Sequence, residues 1–319
     1  MRFVLGRLGH SVLVVVLVSM LTFALVEAAP GEFFDDLRVD ARVARGTVDA
    51  WRERAGLNAS PVSRYFTWIQ SVARGEFGVS LAHRAPVGPL LWQRTRNTLL
   101  LTAPAMAATW LLAVPLGLWL AARRSRWTDR IFTGATSTLL ALPDLLIALV
   151  LLLVALRTGL FPTGGMYSPG AESLSAAARL RDLATHAALP FCALVLGLLP
   201  VVIRHVRASA IEAIDAPAVR AARAHGINGP RLTLHYVLPL AANPLISLAG
   251  LCVAMLLSAS LLIEVVMSWP GLGPLLVESL LAKDVHVVLG ASMIATVFLV
   301  VGNLVADLAL FVVDPRVRA

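Results

Sequence analysis

Along the 319-residue chain, apolar residues gather in six long runs separated by shorter polar segments. The runs cover residues 8–26, 99–122, 132–156, 186–203, 244–263 and 287–313. A helix needs about 20 mostly apolar residues to cross a bilayer, so each run predicts one span, the fourth short and the sixth long. The pattern therefore predicts an all-α membrane protein with six transmembrane helices. Arg2 and Arg7 precede the first run, as they would in a signal peptide, but the run outlasts a signal core and reads as a span. Pro104, Pro115, Gly117, Pro143, Pro190, Gly197 and Pro200 lie inside the runs. They would break helices in water, whereas neighbouring helices in a bundle re-satisfy the freed backbone groups.

The polar segments carry the orientation. Arg2 and Arg7, then Arg123, Arg124, Arg126 and Arg130, then Arg204, Arg207, Arg220, Arg223 and Arg231, and finally Arg316 and Arg318 place thirteen arginines on one side. The short loops opposite are nearly neutral, with Arg179 and Arg181 against Glu172 and Asp182, and Lys283 against Glu278 and Asp284. The first loop, residues 27–97, holds ten arginines and eight acids, but long loops translocate largely regardless of charge. Both termini are expected in the cytoplasm. The chain then divides into a first helix with its long extracytoplasmic loop (1–98), a five-helix core (99–313) containing a cytoplasmic loop (204–240), and a short cytoplasmic tail (314–319). Aromatic residues Trp51, Tyr65, Phe66 and Trp68 in the outer loop suggest short helices lying at the membrane interface.

Composition narrows the chemistry. Hydrophobic residues make up 58% and charged residues 14%, against roughly 45–50% and 25% in soluble domains. Lys283 is the sole lysine and follows Leu281-Ala282, so the glycine-rich lysine loop that holds ATP phosphates is absent and no cofactor is expected in this chain. A net charge of +8 does not point to nucleic acid, because the arginines are strung between apolar runs. Cys192 and Cys252 lie within apolar runs and read as small hydrophobes. His186, His205, His225, His235 and His286 form no metal-binding spacing.

One polar stretch is unlike the rest. Residues 219–239 read VRAARAHGINGPRLTLHYVLP, basic and rich in small residues. A helix upstream is expected to break at Asp215-Ala216-Pro217, with Asp215 capping a second short helix and Pro217 in its first turn. Ala221, Ala222 and Ala224 give that helix a low profile, and Gly226 supplies a left-handed residue to end it. Gly229-Pro230 marks a further turn. On chemistry alone, a docking helix and a plain positively charged linker both remain open.

The stretch resembles the "EAA loop" of binding-protein-dependent ABC importer permeases. An alanine pair (Ala221-Ala222) precedes Gly226, and Tyr236-Val237-Leu238-Pro239 follows; Arg220 stands in the motif's first position, as is typical of the peptide and nickel branch. Further pieces of that branch recur in order across nearly the whole chain. They are Leu21-Thr22-Phe23, Ala29-Pro30-Gly31, Arg74-Gly75-Glu76-Phe77-Gly78, Asn97-Thr98-Leu99-Leu100 and Gly159-Leu160-Phe161-Pro162. Then come Ser268-Trp269-Pro270-Gly271-Leu272-Gly273 and Asp314-Pro315-Arg316-Val317-Arg318. The chain is thus similar to the first of the two permeases in dipeptide and oligopeptide importers. It departs at Asp144, where the family more often has a small or aromatic residue, and at residues 32–55.

The resemblance implies a type I importer fold in a bacterial cytoplasmic membrane. It implies a second homologous permease, two P-loop ATPase subunits that bind the ATP, and an extracytoplasmic substrate-binding protein as partners. Asp215, Arg220, Ala221, Ala222, Arg223, Ala224 and Gly226 would then form the ATPase-coupling element. Within the spans a charge costs about 2.5–3.5 kcal/mol at mid-bilayer, so Asp144 and Glu264 are candidates for the translocation path. Trp269, Pro270, Gly271 and Gly273 are candidates for an outer turn that caps it. The alternative is an intramembrane hydrolase or stand-alone secondary transporter using Asp144 and Asp307. On straight helices those carboxylates would lie at different depths, which disfavours a shared proton.

Overall fold

The computed structural model of the protein describes residues 2–29, 59–123 and 126–313, and these are almost wholly helical. The helices are α1 (Arg2–Ala28), α2 (Pro61–Ala73), α3 (Val87–Arg123), α4 (Arg126–Ala141), α5 (Asp144–Thr158), α6 (Ala176–Asp215), α7 (Pro217–Ala224), α8 (Gly229–Leu232), α9 (Leu238–Val266), α10 (Leu272–Leu281) and α11 (Val285–Val313). A two-stranded antiparallel ribbon, β1 (Val79–Ser80) with β2 (Ala85–Pro86), is the only sheet among them. Residues 32–55 and 314–319 lie outside the described residues, as does the connection at 124–125.

Five helical stretches are long and apolar enough to cross a membrane, and a sixth span is formed if α4 and α5 are taken together. Those two are bent by 96° at their junction. This corrects the expectation of one straight helix over 132–156. The cause is local: Pro143 disfavours helical backbone at Leu142 and offers no N–H of its own, so α4 ends at Ala141 and α5 restarts behind Pro143. Asp144 therefore lies at the break, in the first turn of the second half of the span. The other spans run past their apolar runs, most of all α6, which extends the predicted 186–203 to forty residues.

The described residues form two compact units, whose boundaries fall inside α3, between α9 and α10, and inside α11. One comprises Thr98–Pro270 and Val301–Ala319, and its central element is α6, against which α4, α5 and α9 pack. Leu194, Leu198, Val202, Val206 and Ala210 recur every fourth residue and are all buried, so one ridge of α6 lines the core. Small residues bring neighbouring helices close, as membrane bundles require. At Gly117 of α3, a Cβ would lie 2.6 Å from Val206 Cγ1 and 3.1 Å from the backbone nitrogen of Arg207. Ahead of α9, Thr233–Val237 winds as a π-helix that continues α8 without a break.

The other unit comprises Met1–Asn97 and Gly271–Val300. Here α1 meets the short α2 through Ser19 Oγ and the Tyr65 hydroxyl, 2.9 Å apart, and through an Arg64–Glu27 ion pair. Tyr65, Trp68 and Leu289 form a small buried cluster, while Val62 and Phe66 of α2 are exposed. Of the aromatics expected on an interfacial helix, Phe66 is exposed, whereas Tyr65 and Trp68 are buried in that cluster; Trp51 lies outside the described residues. The ribbon is pinned by Asp284, which is fully buried and whose Oδ2 accepts hydrogen bonds from Ser80 Oγ (2.6 Å) and the Ala82 backbone N–H (3.0 Å).

Candidate functional site

The short helix α7 is built as its sequence dictates, with one correction. Asp215 is the last residue of α6, and the cap position before α7 is Ala216, which makes no side-chain capping bond. Pro217 excludes helical backbone from the residue before it, and Ala216 is accordingly extended (φ −66°, ψ 144°). The break thus comes with Pro217, and the cap position falls on Ala216 rather than Asp215. At the other end Gly226 has φ +81°, the left-handed conformation that stops the helix.

A helix of eight residues is not stable in water by itself. What holds α7 is its inward face, where Val219 and Ala222, three residues apart, are both buried in the main core with Leu232 and Val237. The helix packs on the end of α6, on α8 and on the π segment. Its other face presents Arg220, Ala221, Arg223 and Ala224, with His225 and Gly226 following, all exposed. The structure therefore divides the predicted coupling residues. Ala222 belongs to the seat and not to the presented surface, which is a smooth strip of two alanines beside two arginines. Helical period alone does not say which of three alanines faces inward.

Asp144 is half-buried at the start of α5. Its carboxylate lies directly against Gly197 of α6, where any side chain would occupy the same space. A carboxylate in the first turn of a helix is stabilised by the amide dipoles there, which offsets part of the cost of keeping it charged in a membrane. Glu264, near the end of α9, is fully buried and enclosed in protein. Burial of a carboxylate requires protein partners, and this one lies in the turn of helix that also buries Ser260 and Ile263.

Of the outer turn, Trp269 is fully buried and its N–H donates to the Glu264 carbonyl at 2.9 Å. Ser268 has φ +50°, and the backbone carbonyl of Met267 accepts from the Gly165 N–H at 3.1 Å, so this turn is tied to the loop after α5. Pro270 is partly buried; Gly271 and Gly273, at the start of α10, are buried. Asp307 lies within α11, six residues before its end. Among the described residues no group of three or more His, Cys, Asp or Glu side chains is placed to hold a metal ion.

The helical bundle, its broken span and the seated basic helix on a short polar loop define a polytopic helical membrane protein. Residues 113–319 match the family described as "Binding-protein-dependent transport system inner membrane component", and the chain belongs to that family. It is similar over 99% of its length, at 29% identity, to the oligopeptide transport system permease protein AppB of Bacillus subtilis (strain 168), covering 99% of that protein. It is 27% identical over 98% of its length to the nickel import system permease protein NikB of Staphylococcus aureus (strain USA300), covering 91% of it. Among solved structures, the MetNI methionine ABC transporter in an inward-facing conformation matches 70% of this chain and 96% of that one, with a TM-score of 0.53 and 18% identity. The fold is that of a type I importer permease, and the protein is a multi-pass inner-membrane permease subunit of an ABC importer.

Proposed function

We propose that the chain forms half of a heterodimeric channel for peptides or a related small solute. An extracytoplasmic binding protein delivers the solute, and two ATPase subunits drive its passage by pressing on α7. The observation that carries this reading is the seat of α7: a plain linker has no need to bury Val219 and Ala222 so that two arginines and two alanines face outward. The names of the relatives, oligopeptide and nickel permeases, support a small polar or cationic cargo. Both termini and α7 face the cytoplasm in this reading. ATP binds the partner subunits and not this chain, and the hydrolase and stand-alone transporter alternatives have no comparable support.

Co-expression with its neighbouring genes should give a complex with a different permease and ATP turnover, whereas the chain alone should show neither. In a background without Cys192 and Cys252, cysteines at the exposed positions Glu172 and Leu281 should react with an impermeant thiol reagent from outside intact cells, and one at Ala224 should not. Labelling of Ala224→Cys in intact cells would overturn the orientation, and robust ATP turnover by the isolated chain would overturn the division of labour.

Asp144 is assigned to the translocation path, with Glu264 as an enclosed carboxylate near its outer end and the Trp269–Pro270–Gly271–Gly273 turn as its cap. Asp144→Asn keeps the size of the side chain that Gly197 accommodates and removes only its charge. Uptake kinetics or solute preference should shift while the complex assembles normally. Unaltered kinetics across several solutes would leave Asp144 a structural residue.

A further inference from the structure

Two arginines stand where two spans begin and end. The span in α3 ends at Arg123, and the apolar part of α4 starts at Arg130, so both arginines stand at the ends of apolar stretches, where a span of this length meets the polar layer of a membrane. Each is stacked on an indole: Arg123 lies 5.1 Å from the Trp119 ring centroid and Arg130 lies 5.9 Å from that of Trp127. The end of α3 and the start of α4 are joined by an edge contact between Trp119 and Phe132, with centroids 6.1 Å apart. Around them the sequence from 119 to 132 holds four arginines and one acid, Asp129.

This face is both cationic and apolar. Trp119 is 39% exposed, Trp127 73% and Ile131 66%. A guanidinium stacked on an indole still presents its N–H edge, which matches the oxygens of a phosphate in pairs. Indole rings settle at the headgroup level of a bilayer, where one side of the ring is apolar and the other wet. A soluble anion would satisfy the arginines but leave Trp127 and Ile131 bare. A phospholipid covers both, with its phosphate on the arginines and its acyl chains along the exposed rings.

We propose that the Trp119–Arg123–Trp127–Arg130 face is a binding site for the headgroup of an anionic phospholipid. It is separate from α7 and from Asp144, and it does not depend on which solute is carried.

The test uses the full-length chain purified in its complex and reconstituted into nanodiscs holding equal parts phosphatidylglycerol and phosphatidylcholine, with retained lipid counted by native mass spectrometry. The wild-type complex should keep phosphatidylglycerol in preference to phosphatidylcholine. A basic residue near a charged membrane surface contributes a factor of about five in affinity, so Arg123→Gln with Arg130→Gln should lower phosphatidylglycerol retention about 25-fold. Trp119→Leu with Trp127→Leu leaves every charge in place and should also lower retention, because the stacking that orients the guanidinium groups is gone. Arg123→Lys with Arg130→Lys keeps the charge without the flat fork and should fall between the wild type and the glutamine pair, which separates loss of the site from loss of the fold. Equal retention of both lipids by the wild type overturns the proposal. So does retention by the glutamine pair that matches the wild type, or displacement of the lipid by glycerol phosphate at equal concentration, which would mark a site for soluble anions.

Discussion

Val219→Asp should abolish uptake while the permease still inserts and pairs with its partner. Val219 is fully buried beneath α7, in the same cluster as Ala222, Leu232 and Val237. Taking an ionised carboxylate out of water costs several kcal/mol even after relaxation. Protonating it instead still leaves a buried polar group whose penalty is about 1–3 kcal/mol. The eight residues of α7 have little stability of their own with which to resist, so the helix leaves its seat and exposes the aspartate. The spans lie elsewhere in the chain, and insertion depends on their hydropathy rather than on α7. With the strip of Arg220, Ala221, Arg223 and Ala224 no longer held in place, ATP hydrolysis by the partner subunits should either continue without uptake or be lost with the subunits themselves.

Gly226→Asp attacks the same element from its exposed end. Nothing lies within 4 Å of where its Cβ would be, so the cost is not a clash. It arises from φ +81°, which a side chain raises by about 1–2 kcal/mol, and from a negative charge beside the C-terminus of a helix. The effect on uptake should have the same direction as that of Val219→Asp and be smaller. Near-normal uptake by both variants, measured in proteoliposomes with the ATPases retained, would make residues 219–239 a linker.

Gly117→Leu should prevent the stable packing of α3 on α6. Even one methyl group at this position meets Val206 at 2.6 Å and the backbone of Arg207 at 3.1 Å, and the backbone cannot rotate away as a side chain can. Overpacking a buried site costs about 1–3 kcal/mol for small additions, and leucine adds a whole branched side chain where helices already touch. The expected readout is a fall of the thermal midpoint in detergent, together with poor recovery of the assembled complex. Val206→Ala should restore part of the loss when combined with it, because the two positions share one volume. An unchanged midpoint for Gly117→Leu alone would show that α3 and α6 do not approach at that point.

The spans were legible because length and apolarity are properties of a run, and a run is visible without knowing its neighbours. The break at Pro217 was legible, whereas Pro143, inside an unbroken apolar run, read as a proline that a bundle tolerates. A 96° bend after Ala141 and an extended Ala216 in place of an Asp215 cap depend on how the freed backbone settles. The face of α7 was not legible, since an eight-residue helix with three alanines offers several equivalent seats. Glu264 stands close to the end of a span, where a sequence does not say whether water or protein surrounds it, and packing encloses it. Least visible was the bond from Ser80 to Asp284, which joins residues 204 positions apart in the chain. No local pattern announces a partner so distant.

Thr233–Val237, wound with bonds from i to i+5, stores one residue more than an α-helical turn would hold. The surplus sits between the seat of α7 and the long span of α9. If that turn tightened to α geometry, everything beyond Leu238 would advance by about 1.5 Å and rotate by about 100° about its own axis. Each side chain on α9 would then face where its neighbour had faced. Such a change would give the helix two indexed positions separated by a single residue, like a screw with one click of play, next to the helix on which the ATPases are proposed to press.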